Sequence, residues 1–338
     1  MDGVSAMPDA SAYQPPWWLR NAHLQTMLSA SGTRLRRGAR LLRASGATTT
    51  ELILDGSQGV RLQALHSHVP GRAPVGVALL LHGWEGSTES GYMRMSAARL
   101  LERGLDVVRL NFRDHGNTHH LNPELFHSCR IDEVVQAAGD VARRFPGLPL
   151  VATGYSLGGN FALRLALHAP AAGVPLRRVA VVCPVLDPAL TMENLERGPA
   201  LYEWYFHHKW VRSLRRKREL FPERVDCDDA VLKLNMRALT GWLVQRHTSF
   251  ATMQEYFDGY SIAGSRLAGL RVPANILMAK DDPVIPFASF EHWQLPPCAH
   301  LEVTRRGGHC GFIENLRGDG FSERWVAWHL AAAVTAGS

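Results

Sequence analysis

Apolar runs alternate with stretches of helical spacing through most of the chain, and the rhythm is clearest in the middle. "VGVALLLHGW" from Val75 is continuously apolar, as a strand covered on both faces would be. "SGYMRMSAARLLERG" from Ser90 follows with helical spacing closed by Gly104. The pair then repeats: "LDVVRLNF" from Leu105 with "IDEVVQAAGDVARRF" from Ile131, then "PLVATGY" with "NFALRLALH", then "RVAVVCPVL" from Arg178. Such alternation predicts an α/β fold with a mostly parallel central sheet flanked by helices. Upstream, "ELILDG" from Glu51 and "VRLQALHS" from Val60 flank a Gly/Ser turn and predict an antiparallel hairpin.

After Asp187 the alternation stops. Residues 188–259 are rich in Trp, Tyr, Arg and helix formers, carry no buried-strand pattern, and are expected to be an inserted helical lid. "VPANILMAKDDPVIP" from Val272 and "HLEVTRRGGHCGF" from His300 resume the sheet pattern, and "SERWVAWHLAAAV" from Ser322 predicts a closing helix. The expected organisation is an N-terminal extension over 1–50 packing on the core, a core over 51–187 and 260–338, and the lid between its two parts. There is no internal repeat.

Composition narrows the class. A chain of 338 residues, 46% hydrophobic and 20% charged, can bury a large core. The formal charge of +6 is spread along the chain without a nucleic-acid-binding motif, so no nucleic-acid partner is expected. Five scattered cysteines without a CxxC pair suggest a reducing compartment. With no basic-then-apolar leader and no apolar run of membrane-spanning length, a soluble cytoplasmic protein is expected.

The chemistry gathers at predicted strand ends. Gly154-Tyr155-Ser156-Leu157-Gly158 has the G-x-S-x-G spacing between a strand and a helix. A serine there is either a structural turn or a nucleophile, and the flanking strand and helix favour the nucleophile. A serine hydroxyl needs a base and an acid to orient that base. His309, in "RRGGHCGF" after the last strand, is the candidate base. Asp282, beside Pro283 in "MAKDDPVIP", is preferred as the acid over Asp281, with Asp187 a third candidate. The backbone N–H groups of Leu157 and of Trp84, in "HGWEGS", are the candidate oxyanion donors, with His82 and Gly83 shaping the loop.

Together these residues resemble the α/β-hydrolase superfamily from about Val75 onward and, within it, the YheT-like branch of hydrolases. "PPWWLRNAHLQTM" from Pro15 is similar to that branch's Asn-x-His-Leu-Gln-Thr element, and "YFDGYSIAGSRLAGLRVPANILMAKDD" from Tyr256 to its lead into the acid strand. The resemblance implies an α/β-hydrolase core with a Ser156, Asp282, His309 triad and activity on carboxylic esters, in some members on lipids. The expected function is therefore a serine hydrolase acting on a small-molecule ester through an acyl-enzyme. The alternatives are acyl transfer on the same triad, or a non-catalytic lipid- or membrane-associated module. No cofactor and no metal are expected.

Two segments stay outside this scheme. "NFRDHGNTHHLNPELFHS" carries His115, His119, His120 and His127, and the His115-x3-His119 spacing would suit a metal on a helix. Gly116, Asn117 and Pro123 favour a loop instead, read as a polar loop over the mouth of the site. In "YEWYFHHKWVRSLRRKRELFP", Trp204, Tyr205, Trp210, Val211 and Leu214 can form an apolar stripe opposite a basic face of Lys209, Arg212, Arg215, Arg216, Lys217 and Arg218. That face is read as solvated charge, with peripheral contact to an anionic membrane, or attraction of phosphate- or carboxylate-bearing substrates, as the sharper alternative.

Overall fold

The computed structural model describes residues 7–335; the first six residues of the expected extension and the last three of the expected core lie outside the described residues. Two helices, α1 (Ala22–Ser29) and α2 (Gly32–Ala44), precede the sheet. Asn21 and Ser31 cap them by accepting from the N–H groups of Leu24 and Arg34. The hairpin follows as β1 (Thr48–Asp55) and β2 (Arg61–His68), paired antiparallel from Thr48–His68 to Asp55–Arg61.

The alternating section is β3 (Gly76–Leu81), α3 (Gly91–Glu102), β4 (Leu105–Leu110), α4 (Ile131–Arg144), β5 (Leu150–Tyr155), α5 (Leu157–His168) and β6 (Leu176–Val182). Every residue of β3, β4 and β5 is buried, which explains why these strands are apolar without alternation. Helices α6 (Pro188–Arg197), α7 (Ala200–Leu220), α8 (Met236–His247) and α9 (Met253–Asp258) occupy the segment after β6. The sheet then closes with β7 (Ala274–Ala279) and β8 (Ala299–Thr304), and α10 (Phe321–Thr335) follows.

The eight strands run in the order β1-β2-β4-β3-β5-β6-β7-β8, with all neighbours from β4 to β8 parallel. Helix α3 packs with α10, and α4 with α5. From β3 the chain goes to β4 on one side and later to β5 on the other. The loops leaving the carboxyl ends of β3 and β5 therefore diverge and open a crevice between them, the usual ligand position in an open α/β sheet. Among the described residues no helix is long and apolar enough to cross a membrane.

The basic face of α7 differs from its sequence reading. Lys217 is fully buried and paired with Asp114, its ammonium also donating to the carbonyl of His119 at 3.3 Å. Trp204, expected in the apolar stripe, is instead 60% exposed. Burial pulls the Lys217 ammonium down and pushes the Asp114 carboxyl up, and each partner's charge opposes the other's shift. The pair fastens α7 to the loop after β4.

Candidate active site

Ser156 stands between β5 and α5 with φ 55° and ψ −121°, a backbone shape that L residues rarely adopt. The turn is tight enough to exclude side chains on both flanks. A Cβ on Gly154 would lie 2.0 Å from the carbonyl oxygen of Gly158, and one on Gly158 would lie 2.3 Å from that of Leu81. Ser156 occupies the N-cap position of α5, where a serine normally accepts from its own helix. Here it makes no such bond, and its Oγ lies 2.9 Å from Nε2 of His309.

His309 follows β8, and its Nδ1 lies 2.8 Å from Oδ2 of Asp282, just past β7. A carboxylate only accepts, so Nδ1 carries the proton and Nε2 offers its lone pair to the serine hydroxyl. The other oxygen of Asp282 accepts from the N–H groups of Val284 (2.8 Å) and Ile285 (2.9 Å), so the carboxylate is held in place independently of its contact with His309. Burial disfavours charge on His309, but the Asp282 carboxylate favours the imidazolium and prevails, raising the pKa well above the ordinary 6.5. The other acids take different places. Asp281 accepts from Gly308 N–H at 2.9 Å and so shapes the loop carrying His309, while Asp187 caps α6 through Leu190 N–H at 3.0 Å.

The N-terminal helices reach this loop as well. Thr26 Oγ1 accepts from the backbone N–H of His309 at 2.9 Å, and the Gln25 amide both accepts from Ile313 N–H (2.8 Å) and donates to its carbonyl (3.2 Å). A Cβ on Gly308 would sit 2.5 Å from the carbonyl of Ala22, so α1 presses directly on the loop that carries His309. Buried Arg34 of α2 pairs with Glu323 of α10 behind it. No local pattern in the sequence marks these supports; the "HLQT" stretch stands out there only by its family resemblance.

Across Ser156, the loop after β3 is held by groups from three directions. Tyr92 OH accepts from Gly83 N–H (3.0 Å), His115 Nε2 accepts from Glu85 N–H (3.2 Å), and Lys209 Nζ donates to the Glu85 carbonyl (2.7 Å). His115 donates Nδ1–H to the Arg113 carbonyl at 2.7 Å, which leaves Nε2 as an acceptor. Burial lowers its pKa to about 4, keeping it neutral in ordinary buffers. His82 is locked likewise, Nδ1–H to the Gly83 carbonyl at 2.7 Å and Nε2 accepting from Phe112 N–H at 3.2 Å, and burial holds its pKa well below the usual value. Among the described residues, the N–H groups of Trp84 and Leu157 are not taken up by other parts of the chain.

The other histidines of the loop after β4 are engaged separately. Nε2 of His119 lies 2.8 Å from Ser213 Oγ, and His127 borders a cavity. Two cavities meet at Ser156. One of about 110 Å³ is apolar, with Leu157, Met192, Leu195, Trp210, Leu243 and Ile285 on its walls. A second, of about 840 Å³, is bordered by His309, Lys209, Arg212, Arg215 and Arg216, and by Glu85, whose carboxyl burial pushes up to about 7. Trp84 and Phe206 border both, their rings stacked at 5.5 Å, and so form a partition at the serine.

Residues 78–323 match the family described as "Alpha/beta hydrolase family". The Synechocystis protein named "Putative esterase slr0264" is 27% identical over 90% of this chain and 88% of its own length. "Putative esterase YheT" of Escherichia coli is 28% identical over 70% of each chain, and phospholipase ABHD3 of Mus musculus is 25% identical over 70% of this chain and 58% of its own. An esterase of Pyrobaculum calidifontis shares the fold, with a TM-score of 0.57 over 96% of this chain and 99% of that one at 16% identity.

Proposed function

The chain belongs to the alpha/beta hydrolase family, and from that premise we propose that it is a serine esterase that cleaves carboxylic esters through an acyl-enzyme. The observation that carries the reading is the continuous line from Asp282 through His309 to Ser156, at 2.8 and 2.9 Å, ending on a serine in a strained turn. In the proposed reaction His309 takes the proton as Ser156 attacks the carbonyl, and Asp282 stabilises the imidazolium. The oxyanion is received by Leu157 N–H, at the positive end of α5, and Trp84 N–H; one such donor is worth about a hundred- to a thousandfold in rate. His309 returns the proton to the leaving alcohol, and water then releases the acid by the same route.

The apolar cavity suits the acyl group and the larger, cation-bordered cavity suits a polar or anionic alcohol side. Arg212, Arg215 and Arg216 border that larger cavity beside Lys209, which supports that assignment. The same face of α7, beside exposed Trp204 and Leu201, is proposed to touch anionic lipid surfaces; salt-insensitive flotation with vesicles would remove that contact.

A fluorophosphonate probe tests the central reading. It should label the native protein and spare Ser156→Ala; equal labelling of both would overturn the assignment.

A further inference from the structure

Beside the base stand two thiols that the proposed reaction does not use. Cys183 follows β6 and Cys310 follows His309; both are buried, and both hold positive φ, 46° and 54°. Their sulfurs and a ring nitrogen of His309 all lie within 4.8 Å of one another, with Cys310 Sγ 4.0 Å from Nε2. Neither thiol has a strong competing partner: Cys183 Sγ is 3.9 Å from the Gly308 carbonyl and Cys310 Sγ 3.8 Å from that of Val182. Among the described residues this is the one group of three side chains with metal-ligand atoms so placed.

We propose that Cys183, Cys310 and His309 Nε2 bind a soft divalent cation, Zn²⁺ or Cd²⁺, and that its binding switches the serine off. A tetrahedral ion with metal–sulfur bonds of about 2.3 Å and a metal–nitrogen bond of about 2.0 Å needs ligand atoms roughly 3.5 to 3.8 Å apart. The three atoms reach that spacing with shifts of about an ångström or less. Nδ1–H is already held by the Asp282 carboxylate, the arrangement that orients a metal-binding imidazole and raises its basicity.

Both thiols release their protons to solvent on binding, and the two thiolates then balance the charge of the ion, so a buried site carries no net charge. Thiolates select soft ions over Mg²⁺ or Ca²⁺, which require oxygen ligands. His309, Cys310 and Ser156 all border the larger cavity, which gives the ion a way in and leaves its fourth position to water. Nε2 holds one lone pair, and a metal on it cannot take the serine's proton. Metal binding and serine activation therefore exclude each other. Only this blocking effect rests on the proposed function; the binding does not.

The test uses the full chain, reduced and freed of metal with a chelator. Titration with Cd²⁺ should raise the ultraviolet thiolate-to-metal band to a plateau at about one ion per chain, and Cys183→Ala and Cys310→Val should each lose most of it. Zn²⁺ at about ten times its dissociation constant should slow fluorophosphonate labelling roughly tenfold in the native protein. It should leave labelling of Cys183→Ala unaffected, and Mg²⁺ should have no effect on either protein. A native band that survives both substitutions would assign the ion to Cys129, Cys227 or Cys298 and overturn the site. Equal slowing of native and Cys183→Ala proteins would overturn the switch. A Cd²⁺ band in a chain that never labels would uphold the site and remove the esterase reading.

Discussion

The two sides of Ser156 are held in place by opposite means. On the base side His309 stands against a carboxylate, its charged form favoured by Asp282. On the side of the proposed oxyanion donors the loop from Gly83 to Gly86 is braced by His82 and His115, both kept uncharged by burial. In the proposed reaction the first side manages a proton and needs a partner that stabilises positive charge. On the proposed reading the second must keep two N–H groups aimed at one point, and His115 braces that loop as a neutral acceptor while the Lys209 ammonium holds it by donating to the Glu85 carbonyl. On the proposed reading the same side-chain type thus serves as a base in one place and as a brace in the other, and the neighbours decide which.

The contrast predicts a graded set of losses. Asp282→Asn should cost the most, about ten-thousandfold in kcat on a p-nitrophenyl ester, because the ring loses its tautomer. Asp281→Asn, which only shapes the loop through Gly308 N–H, should cost far less; the reverse order would move the acid to Asp281. His115→Phe removes the acceptor for Glu85 N–H and should lower kcat about a hundredfold with little change in KM, while labelling of Ser156 persists. A change confined to KM would sever the loop from the chemistry. Thr26→Val leaves the His309 N–H unsatisfied and should lower kcat about tenfold and stability by about 1 kcal/mol, with Thr26→Ser restoring both.

The smallest expected effect is in the pH profile. His309 acts as a base only when neutral, so kcat/KM should fall as pH drops through a value above the ordinary 6.5. In the residual activity of Asp282→Asn this limb should move to lower pH, because the charge that favours the imidazolium is gone. His115 charges only near pH 4, so its bracing is intact across that range. A limb unmoved by Asp282→Asn would mean that the carboxylate does not govern the base.

The parallel strands were legible because each is buried on both faces and therefore apolar throughout, and the serine because its turn demands glycines on either side. His309 and Asp282 were legible as candidates by their places after strands. Their supports were not, because these act across long separations that leave no local period. Thr26 lies 283 residues from His309, and Lys217 lies 103 from Asp114. For Lys217 a signal did exist: it falls one helical turn after Leu214 and two after Trp210, on the apolar stripe, but the cations around it made solvent the natural reading. His115 lies in a segment read as a polar loop over the mouth of the site, and the folded chain spends its ring on a backbone N–H of the loop after β3, a partner that no local pattern announces.

The grip of Thr26 on the His309 backbone has a consequence for biosynthesis. The helix carrying Thr26 leaves the ribosome early, and the loop it must hold emerges only after eight strands have been made. A nascent chain stalled anywhere before that loop would carry the tight turn at Ser156 with no imidazole beside it, so on the proposed reading the alcohol stays dormant until early and late segments of the polypeptide have met.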